Sequence, residues 1–147
     1  MNNRVPPHDN ELERAVICCL LTEPTLPIVQ QLSPEDFYCR AHQCIFGAIR
    51  CLYDMHFDPD ILMIKAELRK TEKLDEAGGE TYIDSLLGIV PSTANADYYA
   101  DGVKDYSIRR SLLKISASIA NSAFDQTSDL QEVLKDAIGE LTALGAV

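Results

Sequence analysis

Cys39, His42 and Cys44 lie within six residues and could do one of two kinds of chemistry. Thiolates and an imidazole can hold zinc, and a cysteine beside a histidine can act as an activated nucleophile. The spacing fits neither well. It does not match the paired Cys-x-x-Cys knuckles of structural zinc sites, and a fourth ligand would have to come from His56 or Cys51. A Cys39–His42 nucleophile pair lacks a recognisable orienting group and oxyanion loop. The simpler reading has His42 satisfying a hydrogen bond near the start of a helix. Asp58 and Asp60 flank Pro59, and helix capping accounts for Asp60 as well as acid–base or metal work does. Glu11 and Glu13 read as first-turn acids on a solvated face. Tyr98-Tyr99 could stack on bases, but no basic groove surrounds it. Gly78-Gly79 reads as a turn, and the sequence holds neither G-x-x-x-x-G-K-[ST] nor G-x-G-x-x-G. Neither a nucleotide motor nor a catalytic constellation is legible in this chain, so it reads as a non-enzyme without a cofactor of its own.

The composition narrows the partners. At 147 residues the chain suits one domain, or a compact head with an appendage. Its net charge of −10 and pI near 4.6 argue against tight direct binding to nucleic acid and suit a basic protein partner. No run of eighteen apolar residues offers a membrane span. The polar first ten residues lack an apolar signal core. Five cysteines, an odd number, read as reduced and mostly buried thiols of a cytoplasmic protein.

The elements that would position these residues are helices. Sustained period-two alternation is absent, and helical periods recur throughout. Arg4-Val5-Pro6-Pro7-His8 reads as an extended arm. Asp9 or Asn10 caps a first helix with Leu12, Val16 and Leu20 on its buried face. Ser33-Pro34-Glu35-Asp36 predicts one capped turn before Phe37-Tyr38. A long helix runs from about Arg40 to Met55, a fourth starts after Asp60, and a fifth carries Tyr82, Ile83, Leu86 and Leu87 up to Val90-Pro91. The chain therefore reads as all-α: a compact helical head over residues 1–91 followed by an antiparallel helical hairpin over 93–147.

The hairpin's first helix, Thr93 to Phe124, is about thirty residues and roughly 45 Å long, and part of it is expected to project. It is apolar on two opposite sides. At 100° per residue, Tyr99, Val103, Tyr106, Leu113, Ala117, Ala120 and Phe124 share one stripe, whereas Ile108, Leu112, Ile115 and Ile119 share the reverse one. A surface helix needs one buried side, and a two-sided helix is sandwiched. Ser128 with Gln131 fits a capping box for the last helix, which carries Leu130, Val133, Leu134, Ala137, Ile138, Leu141 and Leu144.

The order of these signals resembles the opening of the replicative DnaB-type DNA helicases. The resemblance rests on Val5-Pro6-Pro7, Glu11-x-Glu13-x-Ala15-Val16, Asp36-Phe37-Tyr38 with His42 and Ile45-Phe46, and Gly78-Gly79-x-x-Tyr82-Ile83. Pro91-x-x-x-Asn95, Tyr99-Ala100-x-x-Val103 and Arg109-x-x-Leu112 continue it. Cys18-Cys19 depart from it, where relatives carry small residues such as glycine. The resemblance covers the amino-terminal domain only. The motor that binds ATP and magnesium in that family is absent from these 147 residues.

In that family the hairpins pair between subunits into a collar on a hexameric ring. The collar docks the carboxy-terminal domain of primase, which couples primer synthesis to unwinding. The resemblance thus implies an oligomerisation and primase-docking domain acting in DNA replication. A helicase loader or an initiator is a further possible partner. A stand-alone helical adaptor or loading protein is the alternative reading, and a small Cys/His metal protein a third. The expected interface comprises Tyr98, Ile108, Leu112, Ile115, Ile119, Val133, Ile138 and Leu141. Ile108, Leu112, Ile115 and Ile119 should meet another subunit or primase, whereas Val133, Ile138 and Leu141 should zip the last helix to the long one.

Overall fold

The computed structural model describes residues 4–145. Every regular element among them is a helix: α1 (Asn10–Thr22), α2 (Ile28–Gln31), a 3-10 turn (Pro34–Asp36), α3 (Arg40–Asp54), α4 (Ile61–Lys70), α5 (Gly79–Ser85), α6 (Ala96–Phe124) and α7 (Leu130–Gly145). The helix starts follow local chemistry. Asp9 Oδ1 accepts from the backbone N–H of Glu11 at 2.9 Å and of Leu12 at 3.1 Å. Asp60 Oδ1 accepts from Met63 N–H at 2.9 Å, so capping is its structural role. The Asp36 carboxylate accepts from the Ser33 N–H at 2.9 Å, which closes the proline turn. At α7 the cap differs from expectation: Asp129 Oδ1 accepts from Gln131 N–H, and Ser128 instead donates to the carbonyls of Ser122 and Asp125. Asp129 lies one residue nearer the helix, where its carboxylate reaches the first-turn N–H groups.

The chain forms two compact units, divided between Tyr106 and Ser107. The first runs from His8 to Tyr106. Its core joins Val16, Ile17 and Leu20 of α1 to Ile45, Phe46 and Ile49 of α3. Ile64 and Leu68 of α4 and Ile83 of α5 complete it, all with 0–1% of their surface accessible. Phe37 packs on Phe46 with ring centroids 5.1 Å apart. The first turns of α6 also belong here, since Ala96, Ala100 and Val103 are buried. Lys104 Nζ reaches Asp36 at 3.3 Å, and Thr93 Oγ1 donates to Glu23 at 2.7 Å. The division therefore falls within α6 and not near Pro91, because the head buries the helix's front stripe for its first two turns.

The second unit holds the described residues before His8 together with those from Ser107 onward. Arg110 donates to the Pro7 carbonyl at 2.9 Å, which ties the proline arm to the helix. The remaining turns of α6 pair with α7. Ser118, Ile119 and Ser122 of α6 and Val133, Ala137 and Glu140 of α7 line one narrow cleft of about 120 Å³. A turn of five residues joins Phe124 to Leu130 and both helices line this cleft, so the chain doubles back and the two run antiparallel.

Candidate partner-binding surface

Ile119, on the reverse stripe of α6, lines the cleft shared with Val133 and Ala137 of α7. Ile108, Ile115 and Ile119 are half-buried, as are Val133, Ala137 and Leu144 of α7. On α7 the structure departs from expectation. Ile138 and Leu141, expected to zip the hairpin, are 65% and 44% exposed. The seven apolar residues of α7 span an arc of about 140° on its circumference, and one neighbouring helix covers only part of such an arc. Val133, Ala137 and Leu144 lie at the covered edge, and Leu130, Leu134, Ile138 and Leu141 at the open one. Ile119 is in turn shared with α7 and Ile115 is half-buried, so the reverse stripe is not a wholly free face.

Three apolar strips remain accessible on this unit. On α7, Leu130 is 66%, Leu134 49%, Ile138 65% and Leu141 44% exposed. The front stripe of α6, buried in the head at Ala100 and Val103, re-emerges at Leu113 and Phe124, which is 85% exposed. Leu112 stands at the edge of the reverse stripe, 44% exposed. Periodicity alone puts Leu113, Phe124, Leu130 and Leu134 on apolar stripes and so points them inward. Tertiary structure uses each stripe over only part of its length, which leaves these four outside. Tyr98, the remaining expected interface residue, lies in the first unit and is 73% exposed.

The residues singled out for chemistry form no reactive centre. His42 is buried, with Nδ1 2.8 Å from Glu13 Oε1 and Nε2 2.7 Å from the Tyr82 hydroxyl. A carboxylate can only accept, so Nδ1 carries a proton, and in the neutral ring Nε2 accepts from Tyr82. Glu13 is therefore not a solvated acid. It is 2% exposed and also accepts from the backbone N–H groups of Tyr38 at 2.7 Å and Cys39 at 3.2 Å. This network sews α1, α3 and α5 together. Cys44 points its sulfur at Glu76, and burial raises its pKa, the opposite of what a nucleophile needs. Among the described residues no three His, Cys, Asp or Glu side chains are placed to hold a metal ion. No described helix is long and apolar enough to cross a membrane.

An all-helical head followed by a helical hairpin that carries exposed apolar strips is the class of fold this chain presents. The chain belongs to the family of DnaB-like helicase N-terminal domains, which it matches over residues 5–105. It is 41% identical over 143 residues to the replicative DNA helicase DnaB of Treponema pallidum (strain Nichols), covering 96% of this chain and 33% of that protein. It is 36% identical to the replicative DNA helicase DnaB of Geobacillus stearothermophilus, covering 92% of this chain and 30% of the relative. The chain thus spans about a third of the length of these relatives. Among solved structures it superposes on the N-terminal domain of DnaB helicase from Mycobacterium tuberculosis with a TM-score of 0.86 at 30% identity, covering 95% of this chain and 99% of that one. A DnaB-like replicative helicase studied for its interactions with primase superposes with a TM-score of 0.76 at 27% identity, covering 92% of this chain and 31% of that one.

Proposed function

We propose that this chain is the oligomerisation and primase-docking domain of a replicative DNA helicase, acting in the cytoplasm during DNA replication. The observation that carries the reading is the uncovered strip Leu130, Leu134, Ile138 and Leu141 on α7. Full burial of such a side chain is worth roughly 1.5–3 kcal/mol, and because each is about half exposed a partner that covers it adds about half of that. A second copy of the hairpin offers the same strip back, which suits the self-complementary contact of a two-fold dimer. Paired hairpins would form the collar of a hexameric ring, and the strips at Leu112, Leu113 and Phe124 would remain for primase. A loader or an initiator could compete for the same apolar surface. Nucleotide hydrolysis and magnesium binding would belong to the motor domain that accompanies such a module, and this domain would supply assembly and recruitment.

The test compares the wild-type chain with Leu134→Glu and Ile138→Glu. Light scattering over a range of concentrations reads the mass, and fluorescence anisotropy reads binding of the primase carboxy-terminal domain. The expected result is loss of dimer mass or of primase binding, with the far-UV helix signal retained. Unchanged mass and unchanged primase affinity in both variants would overturn the reading.

A further inference from the structure

The head unit carries a second accessible groove, remote in sequence from the hairpin. It has a volume of about 550 Å³, and Leu12, Ala15, Ile89, Val90 and Tyr99 give it an apolar floor. Ile89 is 42% exposed although it lies in the lining. An aromatic ring among aliphatic side chains in an accessible cleft is a common composition of a recognition site.

The rim is acidic. Asp9 and Glu11 line the groove, and Glu11 is on the surface side of α1. The one basic lining residue, Arg14, is hydrogen-bonded to Tyr82. Two carboxylates against one engaged guanidinium leave the rim acidic on balance, which disfavours the phosphates of a nucleic acid as the occupant.

We infer that this groove docks a basic, amphipathic segment of a partner protein. One aliphatic or aromatic side chain of that segment inserts between Leu12, Ile89 and Tyr99. Its lysines or arginines face Glu11 and Asp9, whose opposite charge steers the encounter. The site is distinct from the α7 strip and stands whether or not the hairpin binds primase.

The probe is a fluorescein-labelled amphipathic peptide of lysine and leucine with one tryptophan. A counterpart with glutamate in place of lysine, and an oligothymidylate, serve as controls. The expected result is saturable binding of the basic peptide that weakens with salt, with amide shift changes in the ¹⁵N spectrum centred on Leu12, Ile89 and Tyr99. Glu11→Lys should weaken binding about tenfold, and Ile89→Ala about fivefold. Both residues are exposed, so the variants should fold, which a thermal melt verifies. Ile138→Glu should bind the peptide like wild type even where it abolishes dimer mass. Equal binding of the acidic peptide or the oligonucleotide, no saturable binding, wild-type affinity in both head variants, or shifts centred on α7 would each overturn the inference.

Discussion

A Cβ atom placed on Gly78 would lie 2.6 Å from Cδ2 of Tyr82, closer than any real side chain tolerates. The same glycine has φ +94°, in the left-handed region. Two separate constraints therefore converge on one position, and the ring that would be pushed is the one whose hydroxyl meets His42. Gly78→Ala should cost about 1 kcal/mol for the backbone and a further 1–2 kcal/mol or so for displacing Tyr82 from its buried partner. Gly79 has φ +84° but open space for 4 Å around the place a Cβ would occupy, so Gly79→Ala should cost only the backbone share. Urea titration followed by circular dichroism should rank the two variants in that order.

Removing the anchor of the same network should cost more. Glu13→Ala leaves the Tyr38 and Cys39 N–H groups and the His42 ring without their carboxylate inside the core. Stranding buried donors costs about 1–3 kcal/mol for each group left unpaired, so a loss on the order of 4 kcal/mol is expected. Glu13→Gln keeps one acceptor oxygen and should retain part of the stability. A double-mutant cycle with His42→Ala should show strong coupling.

What can be read in the sequence divides along these lines. The helix caps at Asp9, Ser33 and Asp60, and the burial of Ile45, Ala48, Ile49 and Leu52, follow from local spacing and are legible there. Glu13 is not, because a first-turn acid on a solvated face and one buried in a network have the same sequence signature. Its partners lie 25 to 29 residues further along the chain. The two apolar stripes of α6 are legible as stripes. Their division between the head, the α7 seam and open surface is not, because the helix changes surroundings at Tyr106 while its periodicity continues unchanged.

The thiols should titrate and react very unequally. Cys19 is pushed up to about 11 from its ordinary 9.0, mainly by burial, then by the neighbouring Cys18 and Glu23. The raised pKa means that folding favours the protonated thiol. Its contribution is complete below pH 9, declines as pH rises from 9 towards 11, and is lost above that. The melting temperature should therefore fall across that window, and Cys19→Ser should shift the fall. At neutral pH, N-ethylmaleimide should label the exposed Cys51 first and leave the buried Cys18 and Cys19 untouched in native protein, as peptide mass spectrometry would record.

Neighbouring residues on α7 should respond oppositely to the same kind of change. Val133 lines the cleft with Ile119, whereas Leu134, one step round the helix, is half-exposed and Ile138 more so. Truncation of a half-buried seam residue, Val133→Ala or Ile119→Ala, removes packing within the hairpin and should cost about 1 kcal/mol in dilute protein. Leu134→Gln and Ile138→Gln remove little packing in the lone subunit, so at low concentration their melts should lie closer to wild type than those of the seam variants, within about 0.5 kcal/mol for the more exposed Ile138. At high concentration the ranking should invert. If the strip pairs with a partner, wild type gains stability with protein concentration by mass action, the seam variants keep that gain from a lower baseline, and the strip variants lose it. Melts recorded across a dilution series of about a hundredfold separate the two effects. A strip variant that melts with the same concentration dependence as wild type would mean that Leu134 and Ile138 meet no partner copy.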